Sequence, residues 1–193
     1  MLDSTSCLVV FRDALAGMNN PPIVIVGFMG SGKTTVAYKL ARRLNCRAID
    51  LDDLITQRER RSPQEIIEQD GEDAFRTIET DLLRKALIEV SARVLAVGGG
   101  AWTIPENRKM IEAHKARTVW LDAPFELCWK RIETGREARP LARSREMAQR
   151  LYEERHPIYA LANLRIPVNE SDCAEEIASR VADIILSEDD KRG

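Results

Sequence analysis

The sequence predicts a single-domain α/β fold built around a parallel sheet. Short apolar runs alternate with segments of helical period along most of the chain, which is the pattern of βαβ units. The first run, Ile23-Val24-Ile25-Val26, is apolar without interruption, as suits a strand buried on both faces. It passes directly into a glycine-rich turn that opens a helix.

The elements follow in order. After the first strand, Val36, Ala37, Leu40, Ala41 and Leu44 recur at helical spacing and predict a helix over 34–44. Ala48-Ile49 begins a second strand that ends at Asp50. Helices are expected over 53–60 and 63–69, the latter with Ser62 as N-cap, Pro63 at N1 and Glu65 completing the cap. A long amphipathic helix spans 73–90, with Phe75, Ile78, Leu82, Leu83, Ala86 and Leu87 on one face. Further strands are expected over 94–97, 118–121 and 164–168, with helices over 105–114, 124–132 and 174–186. The Arg-rich stretch 134–145 reads as a loop. Residues 1–20 carry no clear period and read as a loosely held extension, Met18 offering an alternative start just before the first strand. The domain is expected over 21–187, with a tail over 188–193.

Composition excludes several classes. The chain has 193 residues, 44% of them hydrophobic, with 29 Lys+Arg against 31 Asp+Glu and a net charge of -2. That balance argues against a strongly basic nucleic-acid binder and an acidic disordered chain. No apolar run approaches the roughly 18–20 residues of a membrane helix. Cys7, Cys46, Cys128 and Cys173 are scattered and only His114 and His156 are present, so neither a paired-cysteine nor a His-rich metal site is expected. Reduced thiols in a cytoplasmic protein are. The tryptophans Trp102, Trp120 and Trp129 read as core or pocket edge, without a catalytic role.

The most informative segment is Gly27-Phe28-Met29-Gly30-Ser31-Gly32-Lys33-Thr34, which fits G-x-x-x-x-G-K-[ST]. Its glycines let backbone N–H groups turn inward around phosphate oxygens, and the helix N-terminus adds positive potential. Lys33 can reach the β- and γ-phosphates, and the Thr34 hydroxyl can ligate Mg²⁺. This is a nucleotide-phosphate site for ATP or GTP. No N-K-x-D occurs anywhere in the chain, and with the short length this favours a small kinase over a GTPase.

Four further features stand out. Asp50-Leu51-Asp52 closes the second strand; carboxylates at i and i+2 of an extended segment point the same way, toward the crevice at the carboxyl ends of the strands. One could meet Mg²⁺ and the other a substrate hydroxyl, although Asp52 or Asp53 could instead cap the next helix. Arg76 and Glu79 are i, i+3 on a helix and can pair, as many surface pairs do. Gly98-Gly99-Gly100 follows a buried strand and permits close approach of backbone to a ligand. Arg136, Arg139, Arg143 and Arg145 surround Arg139-Pro140-Leu141, in a loop able to close over a nucleotide and stabilise phosphoryl charge. Arg76 and Arg155 lie outside the phosphate motif, and guanidinium suits a substrate carboxylate, which favours an acidic substrate over a neutral sugar.

Together these motifs resemble shikimate kinases, over 23–186. The D-x-D, the Phe75-Arg76-Thr77-Ile78-Glu79 segment after Asp70-Gly71-Glu72, the glycine triplet, the R-P-L of the lid and Arg155 within Arg155-His156-Pro157-Ile158-Tyr159 all match that family's pattern. The resemblance implies a five-stranded parallel sheet of order 2-3-1-4-5 flanked by helices, with a mobile lid at about 134–147. It implies transfer of phosphate from ATP to the 3-hydroxyl of shikimate, with Mg²⁺, on the route to chorismate and aromatic amino acids. By residue, it implies nucleotide contacts from Gly30, Ser31, Gly32, Lys33, Thr34, Thr35 and Arg139. Thr34 and Asp50 would serve the metal, the latter through water. The substrate would be held by Asp52, Arg76, Gly98, Gly99, Gly100 and Arg155, with Glu79 orienting Arg76. Lys33, Asp52 and Arg139 would be the catalytic groups. A cytoplasmic monomer without nucleic-acid or membrane partners is expected. The chain departs from the family in having Ala48 where a Phe is common, and no Arg between Asn169 and Ser179 to meet the adenine. Two rivals are a kinase of another small polyol acid, such as gluconate, and a non-catalytic ATP-binding regulator.

Overall fold

The computed structural model describes residues 21–89, 92–134 and 144–190. Five strands form one parallel sheet of order β2-β3-β1-β4-β5, as expected. They are β1 (Ile23–Val26), β2 (Arg47–Asp50), β3 (Ala92–Ala96), β4 (Arg117–Asp122) and β5 (Leu164–Pro167). All four residues of β1 are fully buried between β3 and β4, which explains why the run lacks a polar position: a central strand has no solvent face.

The helices are α1 (Lys33–Arg43), α2 (Leu51–Glu59), α3 (Pro63–Asp70), α4 (Glu72–Ile88), α5 (Pro105–Ala113), α6 (Phe125–Thr134), α7 (Arg145–Tyr159) and α8 (Ala174–Asp190). In α1, Val36, Ala37, Leu40 and Ala41 are buried, and this helix packs against α8. In α3, the Ser62 hydroxyl accepts from the Glu65 N–H at 3.2 Å while Glu65 Oε2 accepts from the Ser62 N–H at 2.6 Å, completing the expected capping box. Trp102 and Trp120 lie in the core and Trp129 packs against it. Cys46, Cys128 and Cys173 are free thiols. Among the described residues no helix is long and apolar enough to cross a membrane.

Three expectations need correction. First, α2 begins at Leu51 rather than Asp53, and its N-cap is Asp50: the Asp50 Oδ1 accepts from the N–H groups of Asp52 and Asp53 at 2.9 and 3.4 Å. Asp50 and Asp52 are therefore not alternate residues of one extended segment. The first ends the strand and the second lies in the first helical turn, because a buried strand-end carboxylate satisfies two otherwise orphaned helix donors.

Second, α7 spans Arg145–Tyr159, where the sequence pattern predicts no helix. Ser144 caps it by accepting from the Met147 N–H at 3.3 Å, and Ala148, Arg155 and Tyr159 are buried along it. Pro157 sits inside its final turn, where a missing N–H breaks only one bond near the end of the ladder. Third, α8 continues to Asp190, so 188–190 are helical rather than tail. The extension over 1–20 and most of the lid, 135–143 with Arg136, Arg139 and Arg143, lie outside the described residues.

Candidate active site

The glycine-rich loop sits between β1 and α1. Gly27, Gly30 and Gly32 have φ values of 144°, 78° and 97°, a region that side chains rarely adopt. Gly30 also lacks room: a Cβ there would lie 2.6 Å from the Cys128 carbonyl oxygen of α6. The same helix supplies Arg131, whose Nη1 donates to the Gly30 carbonyl at 3.1 Å. Arg131 thus puts a positive charge against the phosphate loop; it carries no motif, so sequence reading passed over it. Lys33 opens α1 and its Nζ donates to the Phe28 carbonyl at 3.0 Å, keeping the amine folded back over the loop. Thr34 and Thr35 are exposed in the first turn of α1. The Ser31 hydroxyl is buried and has no hydrogen-bond partner among the described residues.

Beside this loop is an open cleft. Asp52 from α2, Arg76 and Glu79 from α4, Gly98-Gly99-Gly100 after β3 and Arg155 from α7 line it. Residues from four separate parts of the chain thus meet in one cleft, although in the sequence they stand as unconnected motifs. Met29 of the phosphate loop lines the same cleft. A Cβ on Gly99 would lie 3.5 Å from both the Gly27 carbonyl and the Met29 N–H nitrogen, so phosphate site and cleft share a wall. Pro63, Gln64 and Ile67 of α3 and Phe75 of α4 form the remaining side; the sequence reading had not assigned these to a site.

Arg76 is held by two carboxylates. Its Nη1 bonds Glu79 Oε2 at 2.6 Å, and its Nη2 and Nε bond Glu72 Oε1 at 2.9 and 3.2 Å. Glu79 is fully buried, and burial, opposed by the Arg76 charge and assisted by Asp52, raises its carboxyl to about 7. The two partners respond differently: desolvation dominates the buried acid, whereas the guanidinium, serving two acids, is shifted toward its charged form despite desolvation. Arg155 is buried and hydrogen-bonds Tyr159, whose hydroxyl donates to the Gly99 carbonyl at 2.6 Å. The cleft arginines are therefore presented by a frame rather than free in solvent.

None of the triplet glycines has a positive φ; what they supply is space. A Cβ on Gly98 would lie 2.6 Å from Glu79 Oε1 and 3.2 Å from Asp52 Oδ1, and one on Gly100 would overlap the Arg76 guanidinium, 2.6 Å from Cζ. Gly100→Ala is accordingly expected to raise the KM of the acceptor substrate by roughly 10- to 100-fold, since a displacement of about 1 Å in a positioning group has effects of that size. The KM for ATP should change less than twofold. Steady-state kinetics with each substrate varied in turn checks this.

A parallel sheet with a phosphate loop at its carboxyl end, sharing a wall with a cleft that presents two arginines and a carboxylate, defines a P-loop kinase of small acidic molecules. The family model described as shikimate kinase matches residues 29–186. A shikimate kinase of Prochlorococcus marinus (strain NATL2A) is 36% identical over 179 residues, covering 91% of this chain and 87% of that protein. Among solved structures, shikimate kinase from Acinetobacter baumannii in complex with shikimate superposes with a TM-score of 0.83 at 33% identity, covering 91% of this chain and 98% of that one. A gluconokinase from Sinorhizobium meliloti 1021 shares the fold at 17% identity and a TM-score of 0.58, covering 87% of this chain and 97% of that one. The chain belongs to the shikimate kinase family.

Proposed function

We propose that this protein transfers the γ-phosphoryl group of ATP to the 3-hydroxyl of shikimate, releasing ADP and 3-phosphoshikimate on the route to chorismate and aromatic amino acids. The observation that carries the reading is the shared wall between the phosphate loop and a cleft containing Asp52, Arg76 and Arg155. A donor in one and an acceptor in the other are neighbours, and positioning supplies much of the rate in phosphoryl transfer. Arg76 and Arg155 take the carboxylate of shikimate, as guanidinium geometry favours. Asp52 accepts hydroxyl hydrogen bonds and takes the proton as the new O–P bond forms and the bond to ADP breaks.

Backbone donors around Gly30, Ser31 and Gly32, together with Thr35, hold the phosphates, and the buried Ser31 hydroxyl with no protein partner gains one in a phosphate oxygen. Lys33 neutralises charge on the transferring group. Arg139 closes over it from the lid. The donor set suits Mg²⁺, which takes one or two protein oxygens and fills its octahedron with phosphate and water. Thr34, an exposed residue, offers a hydroxyl, and Asp50 offers its second carboxylate oxygen, the first being engaged in capping. Among the described residues, no group of three or more His, Cys, Asp or Glu could form an all-protein cage. When bound, Mg²⁺ supplies charge neutralisation along the β- and γ-phosphates. The reading carries with it a cytoplasmic monomer acting on small molecules, without a nucleic-acid partner.

An ADP-release assay comparing shikimate with gluconate tests the reading. Shikimate-dependent turnover far above that with gluconate is expected. Turnover with gluconate alone would move the assignment to the rival kinase, and ATP binding without any turnover would revive the regulator.

A further inference from the structure

We propose that capture of a substrate carboxylate by Arg76 and Arg155 is coupled to proton uptake on Glu79 Oε1, so that Glu79 is a positioning residue that adjusts its charge to the occupied site. The inference rests on the shikimate reading above and adds to it a linked proton.

The hydrogen-bond set of Glu79 is incomplete. Glu79 is fully buried, its Oε2 bonds Arg76, and its Oε1 has no hydrogen-bond partner among the described residues. A buried carboxylate oxygen without a donor favours the protonated form, since only charge pays a full desolvation penalty. The surroundings sharpen the imbalance. Arg76 faces Glu79 from the same helix, Asp52 from α2 and Arg155 from α7, and Asp52 Oδ1 and Glu79 Oε1 both border Gly98. Arg76 is further shared with Glu72, which is half exposed and so screened by solvent.

With the cleft empty, two guanidiniums stand against Glu79, Asp52 and Glu72. A substrate carboxylate adds a fourth negative charge and competes for the same two cations. Of the three protein acids, Glu79 is the most deeply buried, so relief by protonation falls there. The proton comes from buffer and stays on Oε1, no bond to substrate being made or broken. Protonation also loosens the hold of Glu79 on Arg76 Nη1, leaving more of that guanidinium for the ligand. The empty-site carboxyl, raised to about 7 by burial, places the transition within the neutral range.

The sign follows from linkage. An added anion raises the Glu79 carboxyl further, so protons are taken up on binding and affinity falls as pH rises. For a rise of about one unit, uptake peaks near about 0.5 proton per ligand between pH 7 and 8, and Kd weakens roughly tenfold from pH 6 to pH 9.

Calorimetric titration of shikimate into the nucleotide-free enzyme, in phosphate and in Tris at pH 7.5, reads this uptake from the difference in heats. Wild type is expected to take up about half a proton, and Glu79→Gln to bind shikimate with essentially none. The methyl ester of shikimate, lacking the anion, is expected to bind wild type without uptake, which keeps the test decisive if the variant does not fold. Shikimate binding with no proton uptake in wild type overturns the proposal alone, as does undiminished uptake in Glu79→Gln or equal uptake with the ester. Absence of any shikimate binding overturns the functional reading and this inference with it.

Discussion

Replacing Lys33 by alanine is expected to lower kcat for phosphoryl transfer by roughly 10³-fold or more, about 4 kcal/mol of transition-state stabilisation. Lys33 is the first residue of α1, and its amine lies 3.0 Å from the Phe28 carbonyl, over the phosphate loop. A cation carried on the first residue of α1 beside the phosphate loop meets charge as it spreads over the phosphoryl oxygens. Lys33→Met keeps the length of the stem while removing the charge and should fall as far. Single-turnover kinetics, with melting temperature as the control for folding, makes the measurement. A loss of less than tenfold in both variants would mean that Lys33 is not the group that neutralises the transferring phosphate.

The second large effect concerns Arg76. Arg76→Ala is expected to lower kcat/KM for shikimate by roughly 10²- to 10³-fold, within the 2–5 kcal/mol typical of truncating one member of a buried charge pair. The KM for ATP should stay within about twofold, because the phosphate loop is carried by other elements. Part of the loss belongs to the partner: Glu79, deprived of the only charge-assisted bond it makes among the described residues, is left as a buried acid without its ion-pair partner. The double variant Arg76→Ala/Glu79→Gln separates the two contributions. It should recover stability relative to Arg76→Ala while leaving the shikimate KM high. Arg76→Lys should restore little, since a point cation cannot bridge Glu72, Glu79 and a substrate carboxylate as the planar fork does. Equal increases in both KM values would contradict the assigned role.

These two sites also differ in how far they could be seen from residue order alone. The phosphate loop is contiguous, and its chemistry follows from glycine, lysine and threonine at fixed spacing after an apolar run. Arg76 and Glu79 were visible as an i, i+3 pair, but nothing in that spacing distinguishes a solvated pair from one in which the acid is completely buried. Arg155 was placed by a short motif, whereas its helix escaped notice because Pro157 interrupts the pattern near the end. The D-x-D was identified correctly as acidic punctuation of β2 and misread as an extended pair, since the competition between strand continuation and helix capping is decided by where the backbone turns. Arg131 carried no signal at all; its place against Gly30 arises from the packing of α6 across the loop.

Residue spacing was thus sufficient for the fold class and the phosphate loop, and resemblance to a known family for the strand order and the family. These depend on local periodicity and contiguous motifs, which survive in one dimension. Tertiary structure alone decided that Asp50 caps a helix, that Asp52, Arg76, Glu79 and Arg155 meet in one cleft, and that the glycine triplet is required for space rather than for φ. The reason is physical: burial and electrostatic coupling depend on distances between elements far apart in the chain, and desolvation of a single carboxylate is set by everything packed around it.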